Sequence, residues 1–144
     1  MASTEVLLVL NKYKVPKDRL YTETHEWVKV EDGCALIGIT DYAQAKLKNI
    51  VGIELPEKGT EVSKGGRLAV VESIKSVEDV YAPITCRVIE VNKRLESEPE
   101  LLNNDPYGEG WIARVEIIDE KELESLLKPE DYAKVIEREE SEGK

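Results

Sequence analysis

The fold is decided by the stretch Val70-Val71-Glu72-Ser73-Ile74-Lys75-Ser76-Val77-Glu78-Asp79-Val80-Tyr81-Ala82-Pro83, a nearly symmetric run with Lys75 close to its midpoint. Apolar residues typical of strands lie on both sides of the lysine, and a serine and a glutamate recur on each flank. This pattern predicts two strands joined by a short turn, with Lys75 projecting from the tip into solvent. Taken alone, such a lysine is most simply an ordinary surface residue.

The β pattern continues on both sides of this hairpin. Apolar segments predict strands at residues 25–31, 34–39, 50–55, 67–73, 77–82, 85–92 and 111–117. Turn-forming residues separate these segments, as in Glu31-Asp32-Gly33 and Pro56-Glu57-Lys58-Gly59. Short strands with frequent turns favour a sandwich or a barrel. One early helix is expected over residues 41–48, with Thr40 as its N-cap.

The C-terminal segment differs from the rest of the chain in charge and in periodicity. Residues 119–144 hold ten acidic and five basic residues, and apolar side chains recur there at helical spacing. Asp119 is a candidate N-cap with an acidic residue three positions later. We therefore expect one mostly β (α+β) domain over residues 1–144, with these parts: a β core at about 20–117, a helical segment at about 119–138 and a frayed tail at 139–144.

The composition excludes several functional classes. Acidic residues outnumber basic ones by 30 to 20 in 144 residues, and the net charge of −10 argues against nucleic-acid binding and against a polybasic membrane anchor. The apolar run at residues 6–10 is too short to span a bilayer or to act as a signal peptide, so we expect a cytoplasmic protein, or a mitochondrial matrix protein in a eukaryote. The single His25 argues against a Cys/His zinc site and against a His-based catalytic triad, and no metal site is expected. Cys34 and Cys86 are expected to be buried strand residues.

Five blocks of sequence occur in the order typical of one protein family. They read Tyr-Thr-Glu-Thr-His-Glu-Trp at 21–27, Ile-Gly-Ile-Thr-Asp-Tyr-Ala-Gln at 37–44, Val-Gly-Ile-Glu-Leu-Pro at 51–56, Val-Val-Glu-Ser-Ile-Lys at 70–75 and Asn-Asn-Asp-Pro-Tyr-Gly-Glu-Gly-Trp at 103–111. Together these blocks resemble the glycine cleavage system H protein, a family of lipoyl carriers. The resemblance covers roughly residues 20–136.

This resemblance implies a flattened β sandwich of the barrel-sandwich hybrid (lipoyl-domain-like) type, with one short internal helix and C-terminal helices. It implies that Lys75 carries lipoate covalently, as N6-lipoyllysine. Glu72 and Glu78, three residues to either side, are then candidate recognition residues for the lipoylating enzyme, a lipoate ligase or a lipoyl or octanoyl transferase. The protein is expected to be a cofactor-bearing carrier rather than an enzyme.

The resemblance also implies a cycle of glycine catabolism and one-carbon metabolism with three partner enzymes. Glycine decarboxylase (P protein, pyridoxal phosphate) would load an aminomethyl group onto the lipoyl arm. Aminomethyltransferase (T protein, tetrahydrofolate) would take the one-carbon unit, and dihydrolipoyl dehydrogenase (L protein) would reoxidise the arm. The cleft that shelters the loaded arm in the family matches Thr24, Glu26 and Asp79 of this sequence.

The sequence departs from the family pattern at three places, one of which is Ser76, where alanine is usual after the lysine. Lys48 stands where a glycine is usual after the early helix, and Asn49 is expected to substitute for it in part at the helix C-cap. Cys86 stands where a second glycine is usual, after the lysine hairpin.

There are four alternatives to a glycine cleavage carrier, and the residues around Lys75 argue against the first three. A biotinyl domain would place methionine on both sides of the lysine, whereas Ile74 and Ser76 stand there. A lipoyl domain of an acyltransferase complex would carry Asp before the lysine. An enzyme that uses Lys75 as a Schiff-base nucleophile would need to bury it or place a cation beside it. A lipoylated paralogue that donates lipoyl groups to other complexes is compatible with the sequence.

Overall fold

The structure, a computed structural model, describes residues 4–143. Its strands are β1 (Val6–Val9), β2 (Tyr13–Pro16), β3 (Leu20–Tyr21), β4 (Glu26–Glu31), β5 (Cys34–Ile39), β6 (Ile50–Glu54), β7 (Glu61–Val62), β8 (Arg67–Ser73), β9 (Val77–Tyr81), β10 (Cys86–Val91) and β11 (Ala113–Ile117). Its helices are α1 (Asp41–Leu47), α2 (Arg94–Ser97), α3 (Leu101–Asn104) and α4 (Pro129–Gly143), with a 3-10 helix at Glu120–Ser125. The seven strands expected from the sequence are therefore confirmed, as is the mostly β fold class.

The strands form three antiparallel sheets within residues 4–143. A six-stranded sheet has the order β3-β4-β5-β11-β10-β7, a three-stranded sheet has the order β6-β8-β9, and β1 pairs with β2 alone. The main core contains residues of both larger sheets, such as Val28 and Ile37 from the first and Val71 and Val80 from the second. Burial of these aliphatic side chains between the two sheets holds the sandwich together.

The six-stranded sheet requires a glycine at one position. Trp27 on β4 lies directly opposite Gly38 on β5, and its indole is fully buried. A Cβ atom at residue 38 would lie 2.6 Å from Trp27 Cζ2, so no larger residue fits beneath the ring. The Trp27 Nε1–H donates to the carbonyl of Pro106, which satisfies its buried polar atom.

A second apolar cluster attaches α4 and the β1–β2 hairpin to the outside of the six-stranded sheet. The rings of Tyr21 and Tyr132 stack with their centroids 4.7 Å apart, and Val135 and Ile136 are buried beside them. Val15 of the N-terminal hairpin is fully buried in the same cluster. The last helix is therefore part of the packed molecule rather than a loose appendage.

The limits of the sequence-based elements need correction at both ends. Strands begin at Val6, ahead of the expected β core at 20–117, and α4 continues to Gly143, whereas residues 139–144 were expected to fray. Side-chain contacts of Glu139 and Glu140 with the preceding elements hold the end of this helix in place. The assignment of a single domain stays a prediction, and its limits at residues 1 and 144 lie outside the described residues.

The expected helix caps are confirmed in part. Thr40 accepts a hydrogen bond from the Ala43 N–H at the start of α1, and Asp119 accepts one from the Lys121 N–H. Glu122 does not complete a capping box, because its carboxylate accepts hydrogen bonds from the N–H and hydroxyl of Thr85, at 2.6 and 3.0 Å. The C-terminal segment is thereby tied to the start of β10.

Three further sequence features are resolved by the structure. At the end of α1, Lys48 itself adopts the left-handed backbone, with φ 64°, so the expectation that Asn49 replaces the usual glycine is wrong. Cys86 is buried as expected, whereas Cys34 is partly exposed at the edge of a turn. No helix within residues 4–143 combines the length and the apolar character needed to cross a membrane.

Candidate functional site

Lys75 lies in a turn that its neighbours hold by backbone hydrogen bonds. The Ser73 N–H donates to the Ser76 carbonyl at 2.8 Å, and the Ser73 hydroxyl oxygen accepts from the N–H groups of Lys75 and Ser76. The Ile74 N–H donates to the carbonyl of Asn49, 3.0 Å away in the neighbouring loop. The turn is thus fixed both from within and from outside, although its tip is exposed.

The side chain of Lys75 takes no part in these contacts. Lys75 is exposed, and within residues 4–143 its ammonium group forms no hydrogen bond or ion pair. The neighbouring Ile74 and Val77 are 68% and 64% exposed, so the lysine emerges from an apolar surface. A free amine on a rigid support is well placed for acylation and for presentation to another protein.

Glu72 and Glu78 flank the turn but do not share a face. In the β8–β9 register Glu72 lies opposite Val77, and Glu78 lies opposite Val71. Directly opposed residues share one face of a sheet and successive residues alternate. The two glutamates therefore lie on opposite faces of the hairpin, and a single flat docking surface cannot contact both.

Glu26, by contrast, is buried and accepts three hydrogen bonds from the protein, which leave one acceptor position on its Oε2. It is 2% exposed, and its Oε1 accepts hydrogen bonds from the hydroxyls of Thr22 and Thr24, at 2.6 and 2.5 Å. Its Oε2 accepts from the backbone N–H of Tyr81 at 3.0 Å. Burial raises the pKa of Glu26, and the hydrogen bonds from the two threonines and from Tyr81 oppose this shift.

These hydrogen bonds determine what Thr24 offers to a ligand. Because the Thr24 hydroxyl donates its hydrogen to Glu26, its oxygen is left as an acceptor. Carboxylate and hydroxyl oxygens are the groups that bind an ammonium ion. Thr24 and Glu26 together therefore form a small acceptor site.

A groove with a volume of about 440 Å³ runs from the lysine turn to this acceptor site. We call it the hairpin groove; its lining includes Thr24, Glu26, Tyr42, Lys46, Glu78 and Asp79. Thr24, Glu26 and Asp79, the three residues expected to shelter a loaded arm, thus line one groove. The Asp79 carboxylate is partly exposed and lies 3.9 Å from the guanidinium of Arg67, so it remains accessible to solvent and to a ligand.

A second groove meets the first at the acceptor site. It has a volume of about 430 Å³, and Thr24 and Glu26 line it together with Lys64, Tyr81 and Leu126. Its other walls come from the C-terminal segment, from the residues that follow β9 and from the turn before β8. Glu26 accordingly borders both grooves.

Some residues of the site were not found from the sequence. The spacing Thr-x-Thr-x-Glu at residues 22–26 contained a signal for Thr22, because it places two hydroxyls ahead of one carboxylate. The N–H of Tyr81 is a backbone group, and Lys46 comes from α1, so no local pattern marks either. Lys46 lies in the hairpin groove but is paired with Glu140 of α4 at 2.7 Å.

The fold and the hairpin lysine define the class of this protein: a carrier built on a β sandwich that presents one lysine at the tip of a turn. Comparison with known proteins leads from this class to a family. The family model for the glycine cleavage H-protein matches residues 19–139.

Individual proteins support the same assignment. The chain is 51% identical over 127 residues to a probable glycine cleavage system H protein of Aeropyrum pernix, covering 88% of this chain and 89% of that protein. It is 52% identical over 123 residues to the glycine cleavage system H protein of Listeria monocytogenes, covering 85% and 98%. Among solved structures, a glycine cleavage system H protein from Mycobacterium marinum superposes with a TM-score of 0.78 at 36% identity, covering 83% of this chain and 97% of that one.

The chain therefore belongs to the glycine cleavage H-protein family, and its function is that of a lipoyl carrier in glycine cleavage. The match to a solved member also confirms the lipoyl-domain-like barrel-sandwich fold. In general terms, membership implies lipoate as the cofactor and the P, T and L proteins of the glycine cleavage system as partners.

Proposed function

We propose that Lys75 carries the lipoyl group in amide linkage, and that the hairpin groove shelters the arm when it is loaded. The observation that supports this most directly is the position of Lys75 on a fixed turn at one end of the groove, with its ammonium group unpaired within residues 4–143. Thr24, Glu26 and Asp79 line the same groove. In this role the protein is a substrate of its partner enzymes rather than an enzyme.

The surroundings of Lys75 fit an amide-linked group. Amide formation removes the charge of the lysine, and this breaks no ion pair within the described residues. The hydrogen bonds that fix the turn come from backbone N–H groups and from Ser73, so they persist after modification. When bound, lipoate supplies the dithiolane that receives and releases the aminomethyl group.

The reach of the modified side chain suits both exchange and shelter. From the lysine Cα to the end of an extended lipoyl group is about 14 Å, from standard bond lengths. An arm of this length can enter the active site of a docked enzyme, and it can also fold back along the hairpin groove. The rigid turn fixes where the arm begins, so only the arm has to move.

The residues of the groove hold the cationic amine and exclude water. The oxygens of Thr24 and Glu26 accept hydrogen bonds from the amine, and the Asp79 carboxylate adds negative charge. Because Glu26 is buried, such a hydrogen bond forms with little competition from solvent. The groove thereby slows the hydrolysis that would release the one-carbon unit before the transferase binds.

The proposed partners follow from this cycle. Glycine decarboxylase loads the arm, the tetrahydrofolate-dependent aminomethyltransferase unloads it, and dihydrolipoyl dehydrogenase reoxidises it. A lipoate ligase, or a lipoyl or octanoyl transferase, attaches the group to Lys75. Since Glu72 and Glu78 lie on opposite faces, we propose that this enzyme closes around the hairpin tip and contacts it from both sides.

The proposed shelter is tested by the stability of the loaded carrier in Glu26→Gln and Asp79→Asn. Hydrolysis of the loaded arm would consume one water, release formaldehyde and ammonia, and leave the sulfur as a thiol. A charge-assisted hydrogen bond is worth about 1.5–3 kcal/mol, so we expect release to be about tenfold to a hundredfold faster in Glu26→Gln, and faster also in Asp79→Asn. Each carrier is loaded and separated from the decarboxylase. The release of formaldehyde and ammonia is then followed over time in the absence of the transferase.

Glu57→Gln is the matched control, because Glu57 is an exposed carboxylate away from the hairpin groove. Its release rate should equal that of the wild type. Lipoylation and reoxidation should be nearly unchanged in all three variants. Unchanged release in both Glu26→Gln and Asp79→Asn would show that these carboxylates do not protect the arm.

A further inference from the structure

His25 stands between the two acceptor residues Thr24 and Glu26 in an unusual backbone conformation. Its φ is 75°, in the left-handed region that side-chain-bearing residues rarely adopt. This conformation lets the chain turn back on itself, so that Thr22 and Thr24 both reach the carboxylate of Glu26. The geometry of the acceptor site therefore depends on what holds residue 25 in place.

The imidazole of His25 is held at both nitrogens by α4. Nδ1 lies 2.8 Å from the hydroxyl of Tyr132, and Nε2 lies 2.9 Å from Oε1 of Glu139. The ring also packs beside Tyr42, with 4.9 Å between the ring centroids. Two residues of the last helix thus anchor a side chain in the turn that forms the acceptor site.

The hydroxyl of Tyr132 closes the network back onto the backbone of the same turn. It lies 2.7 Å from the Thr40 hydroxyl, and the Thr40 N–H donates to the His25 carbonyl at 3.1 Å. A carboxylate only accepts, so Nε2–H donates to Glu139, and in the neutral ring Nδ1 accepts from the Tyr132 hydroxyl. Thr40 then donates to Tyr132, and every hydrogen in this chain of contacts has one acceptor.

We propose that Tyr132 and Glu139 are positioning residues for Glu26 and act through His25, so that the C-terminal helix sets how well the carrier protects its loaded arm. This inference rests on the proposed role of the hairpin groove. Neither residue donates to Glu26 itself. Tyr132 is not among the residues that line the groove, whereas Glu139 lines it with its Oε1 bonded to His25. Their effect on Glu26 is to fix the turn at residues 22–26 through the His25 ring.

The test compares Glu139→Ala with Glu137→Ala. Glu137 is exposed on the same helix two residues earlier, so its substitution matches the change in charge and in helix propensity. We expect Glu139→Ala to accelerate hydrolytic release from the loaded carrier by about threefold to tenfold, because the variant loses the charge-assisted contact between Glu139 and His25. Glu137→Ala should leave release unchanged, and lipoylation should be normal in both.

A merely structural effect of Glu139 is separated by repeating the comparison in a His25→Gly background. Glycine accepts φ 75° but provides no ring for Glu139 to hold. If Glu139 acts through His25, Glu139→Ala adds no further acceleration in that background. Equal acceleration with and without the ring would overturn the proposal, because the two effects would then be independent.

Glu26→Gln distinguishes failure of this inference from failure of the proposed function. Faster release in Glu26→Gln with unchanged release in Glu139→Ala would leave the groove as the shelter and reject α4 as its support. Unchanged release in Glu26→Gln would reject the acceptor role of Glu26, and with it any positioning through that residue. The whole chain of contacts is supported if release is faster in Glu26→Gln and in Glu139→Ala, and if Glu139→Ala causes no further acceleration in the His25→Gly background.

Discussion

At the scale of single residues, Lys48 shows how backbone geometry supports the turn at Lys75. It follows α1 with φ 64° and ψ −141°, a conformation that glycine adopts with far less strain. The next carbonyl, that of Asn49, accepts a hydrogen bond from the N–H of Ile74, the residue before Lys75. Asn103 braces this loop, because its side chain bonds to the Lys48 carbonyl and to the Ile50 N–H. A strained residue is thus held in place where the loop supports the lysine turn.

Lys48→Gly should make the protein more stable. Removing the strain of the left-handed backbone stabilises the folded protein by about 1–3 kcal/mol. Because glycine also makes the unfolded chain more flexible, part of this gain is offset, and the net increase in the free energy of unfolding is about 1 kcal/mol. Urea unfolding measures the gain in the free energy of unfolding. Lys58→Gly is the control, because Lys58 is an exposed turn lysine without a positive φ and should gain nothing. A lower stability in Lys48→Gly would contradict this account.

At the scale of secondary-structure elements, α4 is coupled to the rest of the protein through a titratable group. His25 faces Tyr132 and Glu139 of this helix and Tyr42 of α1. Burial lowers the pKa of His25, and the Glu139 carboxylate raises it again in part. The net shift is downward, so the folded protein favours the neutral ring.

The sign of this shift predicts a loss of stability in mild acid. The unfolded chain takes up a proton near pH 6.5, whereas the folded protein does so at a lower pH. The contribution of His25 to the free energy of unfolding is therefore fully present above about pH 6.5. It declines as the pH falls toward the lower pKa of the folded state, by at most about 1.4 kcal/mol per pH unit.

His25→Asn isolates this contribution, since asparagine tolerates φ 75° but does not titrate. Urea unfolding between about pH 7.5 and pH 5.5 should show the wild type losing more stability than the variant. The raised pKa of Glu26 acts in the opposite direction in both proteins and cancels in the difference. A stability difference independent of pH would contradict the lowered pKa.

The elements also show what sequence can and cannot predict. The long strands were found because apolar residues recur along them, and Thr40 was recognisable as a cap. The strands β3 and β7 have two residues each, too few for any periodicity. The β1–β2 hairpin was missed because Leu10 and Asn11 form its turn with positive φ, where Asn-Gly would be the usual signal.

The candidate site was predicted to a similar extent. The resemblance supplied Lys75 together with Thr24, Glu26 and Asp79, and the structure places the last three along one groove. It did not supply the support behind them, since Tyr132 and Glu139 lie more than a hundred residues from His25 in sequence. Contacts of this kind depend on how α4 packs against the sheet, and no local pattern encodes that.

At the scale of the whole molecule, we expect the net charge to govern encounters with the partner enzymes. The chain carries a net charge of −10, and the hairpin that bears Lys75 has exposed acidic residues on both faces. Apolar side chains next to the lysine, Ile74 and Val77, are exposed in the middle of this acidic surface. Docking should therefore combine a small apolar contact with a rim of charge complementary to basic residues of the partners.

Such docking should weaken with salt. Exposed charges are screened over about 10 Å at 0.1 M ionic strength, so the apparent KM for the lipoylated carrier should rise several-fold between about 0.05 and 0.5 M salt. The decarboxylase reaction at saturating carrier is the control, because kcat should change much less than KM. A flat KM over this range would mean that docking is mainly apolar.

The central claim is that Lys75 is the site of lipoylation, and the mass of the intact protein after treatment with a lipoylating enzyme tests it most directly. The wild type and the control Lys58→Arg should each gain one adduct of about 188 Da, the mass added when lipoic acid forms an amide. Lys75→Arg keeps the positive charge but cannot form this amide, so it should fold normally and gain no adduct. A full adduct on Lys75→Arg would contradict the claim.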